Sequence, residues 1–106
     1  MAKSKEEKAV YASLLDQLKA KNIETEYTRS RIDDYMASWR TVKQLTDDIE
    51  KRGIKCETEL ASGAIVLKMN ESIGARQKEN AAMDKILQSL GLNAPVIKSD
   101  DLGDYL

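Results

Sequence analysis

The chain has 106 residues, 33% of them charged, with 17 Lys and Arg against 18 Asp and Glu, one cysteine, no histidine and no phenylalanine. Such a length sets one small domain that buries roughly two thirds of its unfolded surface, with a core of Leu, Ile, Val, Met and Ala around Trp39 and the tyrosines. An internal disulfide, a histidine base or metal ligand, and a bulk polybasic nucleic-acid binder are excluded, and no apolar run approaches the ~20 residues of a membrane span.

The first helix is expected from about 4 to 21. Ser4 heads it with Glu7 three residues on, the spacing of a capping box. Val10, Tyr11, Leu14, Leu15 and Leu18 then share one face at 3.6-residue periodicity. The second helix is expected from about 28 to 52, with Thr28 as its N-cap. Ile32, Tyr35, Met36, Trp39, Val42, Leu45 and Ile49 form its apolar stripe. Asp47 to Lys51 and Asp48 to Arg52 are acid-before-base pairs one turn apart on its outer side. Gly53 follows as a C-terminal stop, with Ile54 expected to fold back on Ile49.

Residues 54–69 change period. Ile54, Cys56, Thr58 and Leu60 alternate with Lys55, Glu57 and Glu59, and Ile65, Leu67 and Met69 alternate with Val66 and Lys68. That pattern is a β-hairpin with Gly63 in its turn. A lone hairpin is marginal in water, so it should pack on the helices or on a neighbour's hairpin. The third helix is expected from about 70 to 90, capped by Asn70 and stopped by Gly91, with Leu92 set to touch Leu87. Ile73 sits at one end and Met83, Ile86, Leu87 and Leu90 at the other. Between them lies a polar waist of Arg76, Gln77, Lys78, Glu79 and Asn80. The fold class is therefore mainly α, with residues 1–92 as a single helical domain carrying a hairpin insertion. Residues 93–106 form an extended acidic tail in which Pro95 forbids more helix.

Catalysis by this chain is not expected. Neither GxxxxGK[ST] nor GxGxxG occurs, so no phosphate cradle is written in the sequence. Cys56 lacks a base and falls in a strand, which makes it a packed side chain. Asp33–Asp34 and Asp47–Asp48 are adjacent residues on helix surfaces and read as solvated charges. No catalytic, cofactor or metal-binding residue is assigned, no cofactor is expected, and with no signal peptide read the protein is expected to be soluble and intracellular.

Binding residues are easier to nominate. Residues 1–90 carry a net charge of +1 and residues 91–106 a net charge of −2. Lys3, Lys5 and Lys8 sit on the N-terminal arm, and Arg29, Arg31, Arg40 and Lys43 decorate the second helix. On a monomer they are a solvated face, whereas repeated around a ring they become a belt able to neutralise phosphates. Tyr35, Trp39, Met83 and Leu87 are candidates for core or subunit contacts. The waist could be plain solvated helix, a subunit interface or a channel lining. The end of the chain mixes Asp100, Asp101 and Asp104 with Leu102, Tyr105 and Leu106, a composition able to dock in a partner's groove.

Taken in order over residues 9–106, "VYASLLDQL", "IDDYMASWRTVKQLTDDIEKRG", an Asn-started segment after a hairpin, and "MDKILQSLGL" before a Pro-bearing acidic tail resemble the small subunit of tailed-phage terminase, in the short, mostly helical branch of that family. The chain departs from it in reading "KMNES" where members often carry prolines beside the asparagine. The resemblance implies a non-enzymatic, ring-forming adaptor acting transiently in the host cytoplasm. Its partners would be double-stranded viral DNA and the large terminase subunit, which supplies ATPase and nuclease, and it would touch no membrane. The acidic tail would contact that large subunit. A small dimeric helical DNA-binding regulator is the alternative, and it would predict a palindromic site.

Overall fold

A computed structural model describes residues 4–95. Helix α1 spans Lys5–Ala20 and starts where Ser4 accepts a hydrogen bond from the Glu7 backbone N–H at 3.0 Å. The Glu7 carboxylate, expected to reach back to the cap, instead accepts from Arg40 at 2.8 Å. The helix stops at Asn22, whose φ of +58° turns the chain. Ile23 N–H then reaches back to the Leu18 carbonyl at 3.0 Å, a left-handed stop of the kind glycine usually supplies.

Helix α2 spans Glu26–Arg52. Its cap is Thr25, three residues earlier than the expected Thr28. Both threonines belong to one reciprocal box: Thr25 Oγ1 accepts from Thr28 N–H at 3.2 Å, while Thr25 N–H donates to Thr28 Oγ1 at 2.8 Å. Thr28 is buried at the third helical position, where its hydroxyl also donates to the Ile23 carbonyl. The far end also departs from expectation. Gly53 takes the expected positive φ of +82°, but its ψ of −179° throws the chain outward. Ile54 is therefore 63% exposed and does not fold back on Ile49. Of the two acid–base pairs on the outer side, Asp48–Arg52 forms, and Lys51 makes no ion pair among the described residues.

Strands β1 (Lys55–Glu59) and β2 (Ile65–Met69) pair antiparallel around a turn in which Gly63 has φ +89°. The register sets Lys55 opposite Met69, Glu57 opposite Leu67 and Glu59 opposite Ile65. Alternation places those six residues on one face, and Cys56, Thr58, Val66 and Lys68 on the other. Helix α3 (Glu71–Leu90) ends at Gly91 in the left-handed region. Leu92 N–H bonds the Leu87 carbonyl at 2.9 Å, and Gly91 N–H bonds the Gln88 carbonyl at 3.1 Å. The expected contact of Leu92 with Leu87 is thus a Schellman stop with both side chains in the core.

The core lies where all three helices meet. Val10, Leu14, Leu18, Ile32, Tyr35, Met36, Ile86, Leu87 and Leu92 are buried together, with Trp39 and Met83 packed partly buried against them. Leu14, Leu18 and Ile32 have no exposed surface, and such burial contributes about 1.5–3 kcal/mol per side chain. Beyond Trp39 the stripe of α2 loses cover from α1, so Val42, Leu45 and Ile49 are only half-buried. The body measures 59 × 32 × 23 Å with a radius of gyration of 17.6 Å, against about 13 Å for a compact chain of this length.

Asn70 joins the outer end of this body. Its Oδ1 accepts from Ser72 N–H and from Arg52, both at 2.9 Å, and its Nδ2 donates to the Gly53 carbonyl at 3.1 Å. One side chain, 1% exposed, thus holds the end of α2, the entry to β1 and the start of α3.

Candidate nucleic-acid interface

Helix α2 carries its basic residues outward because its apolar stripe turns Ile32, Tyr35 and Met36 inward. An open cleft of about 620 Å³ runs between this surface and the first turns of α1, with Glu7, Tyr11, Met36, Trp39, Arg40 and Lys43 among its walls. Its charges are largely compensated. Arg40 donates to the buried Glu7 at 2.8 Å, and Lys43 donates to Glu6 at 3.1 Å. Lys43 Nζ also lies 5.0 Å from the centroid of the Trp39 ring, within cation–π range. Trp39 thus has one side against the core and the other under a lysine.

The remaining nominated cations are scattered. Arg31 pairs with Asp34 at 3.0 Å. Arg29 donates to the Thr25 carbonyl at 3.4 Å. Lys5 and Lys8 are exposed on the first turns of α1. Lys3, and the tail residues Asp100, Asp101, Leu102, Asp104, Tyr105 and Leu106, lie outside the described residues. Of the nominated contact residues, Tyr35 and Leu87 are buried and Trp39 and Met83 half-buried, all within one subunit's core.

A second set of cations was passed over in the sequence. Gly74, Gln77, Lys78, Ala81, Lys85 and Gln88 line the outward face of α3 and are all exposed. Lys78 and Lys85 make no ion pair among the described residues. Seven residues apart, they stand on one face about 10 Å from each other, with only small or neutral side chains between. The signal was present as a Lys–x₆–Lys spacing that runs from the polar waist at Lys78 to Lys85. Only the partnering of the α2 cations across more than 30 residues makes it stand out. Most of the waist itself, Arg76, Gln77, Lys78 and Asn80, faces solvent in the single chain, with Glu79 half-buried.

Titration behaviour singles out the joint at Asn70. Hydrogen bonds from Arg52 and then Ser72 hold the Asp48 carboxyl well below its ordinary range, and Arg52 is pushed up in turn. Glu71 is lowered by its own backbone N–H and by Arg52. In the core, burial raises the Tyr35 hydroxyl, with Asp84 adding to the effect. These shifts follow from ion pairing and burial. Among the described residues no group of three or more Cys, Asp or Glu is placed to hold a metal, and no helix is long and apolar enough to cross a membrane.

A family model described as "Phage terminase, small subunit" matches residues 8–95. The chain belongs to the phage terminase small subunit family. The match covers α1 from residue 8 on, α2, the hairpin and α3 with its stop at Gly91, and membership gives the protein a role in phage DNA packaging. No curated protein and no solved structure matches the chain.

Proposed function

We propose that this terminase small subunit is a non-catalytic adaptor that recognises double-stranded viral DNA and recruits or regulates the large terminase subunit, the packaging ATPase and nuclease. It works as a homo-oligomeric ring in the cytoplasm of the bacterial host, associated transiently with the procapsid during packaging. The match over residues 8–95 carries this reading. The chemistry of the chain agrees with it: without histidine or a phosphate loop, catalysis would have to come from a partner.

DNA contact would use Lys3, Lys5, Lys8 and Arg29 together with Lys78 and Lys85. Arg31, Arg40 and Lys43 would contribute less because their charge is already answered by Asp34, Glu7 and Glu6. Assembly matters here. One subunit with a net charge of −1 has little long-range pull on DNA, whereas a ring repeats each basic face many times.

Two measurements test the proposal. Native mass spectrometry of the purified protein should give a closed assembly of about eight or more copies, where a dimer would support a regulator instead. Fluorescence anisotropy should show binding to labelled viral duplex that weakens steeply with salt. Absence of binding at low salt, together with no association with the large subunit, would overturn the adaptor reading.

A further inference from the structure

We infer that the hairpin face bearing Ile65, Leu67 and Met69 is a self-association surface that takes the same face of a second copy, antiparallel to itself. The inference rests on the self-assembly in the proposed function, but not on ring closure.

The three side chains are 67%, 66% and 64% exposed. They stand in a row on β2 because they alternate with Val66 and Lys68. The register puts them beside charges and not beside other apolar groups: Met69 neighbours Lys55, Leu67 neighbours Glu57 and Ile65 neighbours Glu59. The other large apolar side chains left this exposed are Ile54 at the entry to β1 and Tyr27 near the start of α2, among the described residues. A contiguous apolar row on an isolated two-stranded sheet marks a contact surface, because such a sheet is not independently stable in water.

Charge selects the occupant. With one lysine and two glutamates, the face repels phosphate and offers no single sign to a strongly charged protein. It is, however, complementary to itself at two of its three charged positions. A two-fold axis across the strands lays Leu67 on the second copy's Leu67 and Ile65 on its Met69. The same operation lays Lys55 on the second copy's Glu59, twice over by symmetry, with the two Glu57 residues meeting at the centre. Sheets stack about 10 Å apart, a gap that Lys and Glu side chains span from opposite sides.

The apolar row offers on the order of 300 Å² from each copy, less than half of the ~800 Å² each partner contributes to a standard interface. It is therefore the centre of the contact, with the β1 charges as its rim. A two-fold contact closes after two copies. It is thus distinct from the head-to-tail contact a ring needs, and it joins two subunits or two rings.

The experiment is native mass spectrometry with sedimentation on wild type, L67T, K55E, E59K, K55E/E59K and E57Q, with thermal melts as the folding control. Leu67 is exposed in the single chain and threonine favours strands, so L67T should melt like wild type at a dilution where wild type is itself unpaired. The expected result is an even-numbered wild-type assembly whose mass is halved in L67T. At limiting concentration K55E and E59K should each weaken pairing at least tenfold, the double swap should restore it, and E57Q should strengthen it. An odd subunit count, an L67T mass equal to wild type, or no rescue by the swap would overturn the inference while leaving a ring intact. A wild-type monomer would overturn the inference and the ring together.

Discussion

Asn70 ties the end of α2, the entry to β1 and the start of α3 together through one buried side chain. Replacing it with alanine removes the cap of α3 and leaves the half-buried Gly53 carbonyl with only the weak Cys56 thiol as donor. The first loss costs about 1 kcal/mol and the second about 1–3 kcal/mol, so N70A should lower the melting temperature by roughly 10 °C or more. N70D keeps the accepting oxygen but not the donor to Gly53, so its melting temperature should fall between those of wild type and N70A. Equal melting of N70D and N70A would show that the Gly53 bond and not the cap dominates. The neighbouring Asp48 supplies a pH signature. Its carboxyl titrates lower in the folded chain than in the unfolded one, so between its ordinary pKa of about 4 and that lower value the unfolded state binds more protons. Stability should therefore be fully present above about pH 5 and should decline as pH falls below about 4. Urea melts from pH 6 to pH 2 should show this slope, and D48N should flatten it. A slope unchanged in D48N would assign it to other carboxylates.

At the scale of elements, the predicted helices and hairpin were legible because each obeys local rules. Ser4, Gly91 and Asn70 as a cap act within a few residues of where they stand, and the 3.6-residue stripe on α2 needs no knowledge of its partner. What stayed hidden depends on distance or on ties. Thr25 and Thr28 are equally good caps by chemistry, and the reciprocal pair leaves the earlier one as the boundary. Ile54 would have met Ile49 had Gly53 continued into a Schellman turn, but the extended ψ that starts the hairpin prevents it. The candidate site suffered most, because the neutralisation of Arg40 and Lys43 by Glu7 and Glu6 crosses 33 and 37 residues. That difference is testable in binding. K78E/K85E should weaken DNA binding about tenfold or more and reduce the salt slope by roughly two. R40Q/K43Q should change both less, since cations paired with carboxylates release fewer counterions. The reverse order would return the DNA face to α2.

Across the whole molecule, the buried core runs from Val10 to Leu92, and the chain beyond it is pinned once more. Gln17 donates to the Asn93 carbonyl at 3.0 Å, and Asn93 N–H donates back to Gln17 Oε1 at 2.9 Å. Among the described residues, Ala94 and Pro95 follow this clamp and neither belongs to the core. The acidic residues Asp100, Asp101 and Asp104, set among Leu102, Tyr105 and Leu106, lie outside the described residues, and their removal tests whether they serve the fold or a partner. Deleting residues 99–106 should leave the melting temperature and the assembly mass as they are. If the tail is the docking segment for the large subunit, the same deletion should weaken that binding at least tenfold, about 1.4 kcal/mol. The two readouts separate a docking role from a structural one. A drop in melting temperature would mean that the end of the chain packs on the core. Unchanged affinity with an unchanged fold would move the large-subunit contact onto the helical body, where the open cleft between α1 and α2 at Trp39 becomes the next surface to mutate.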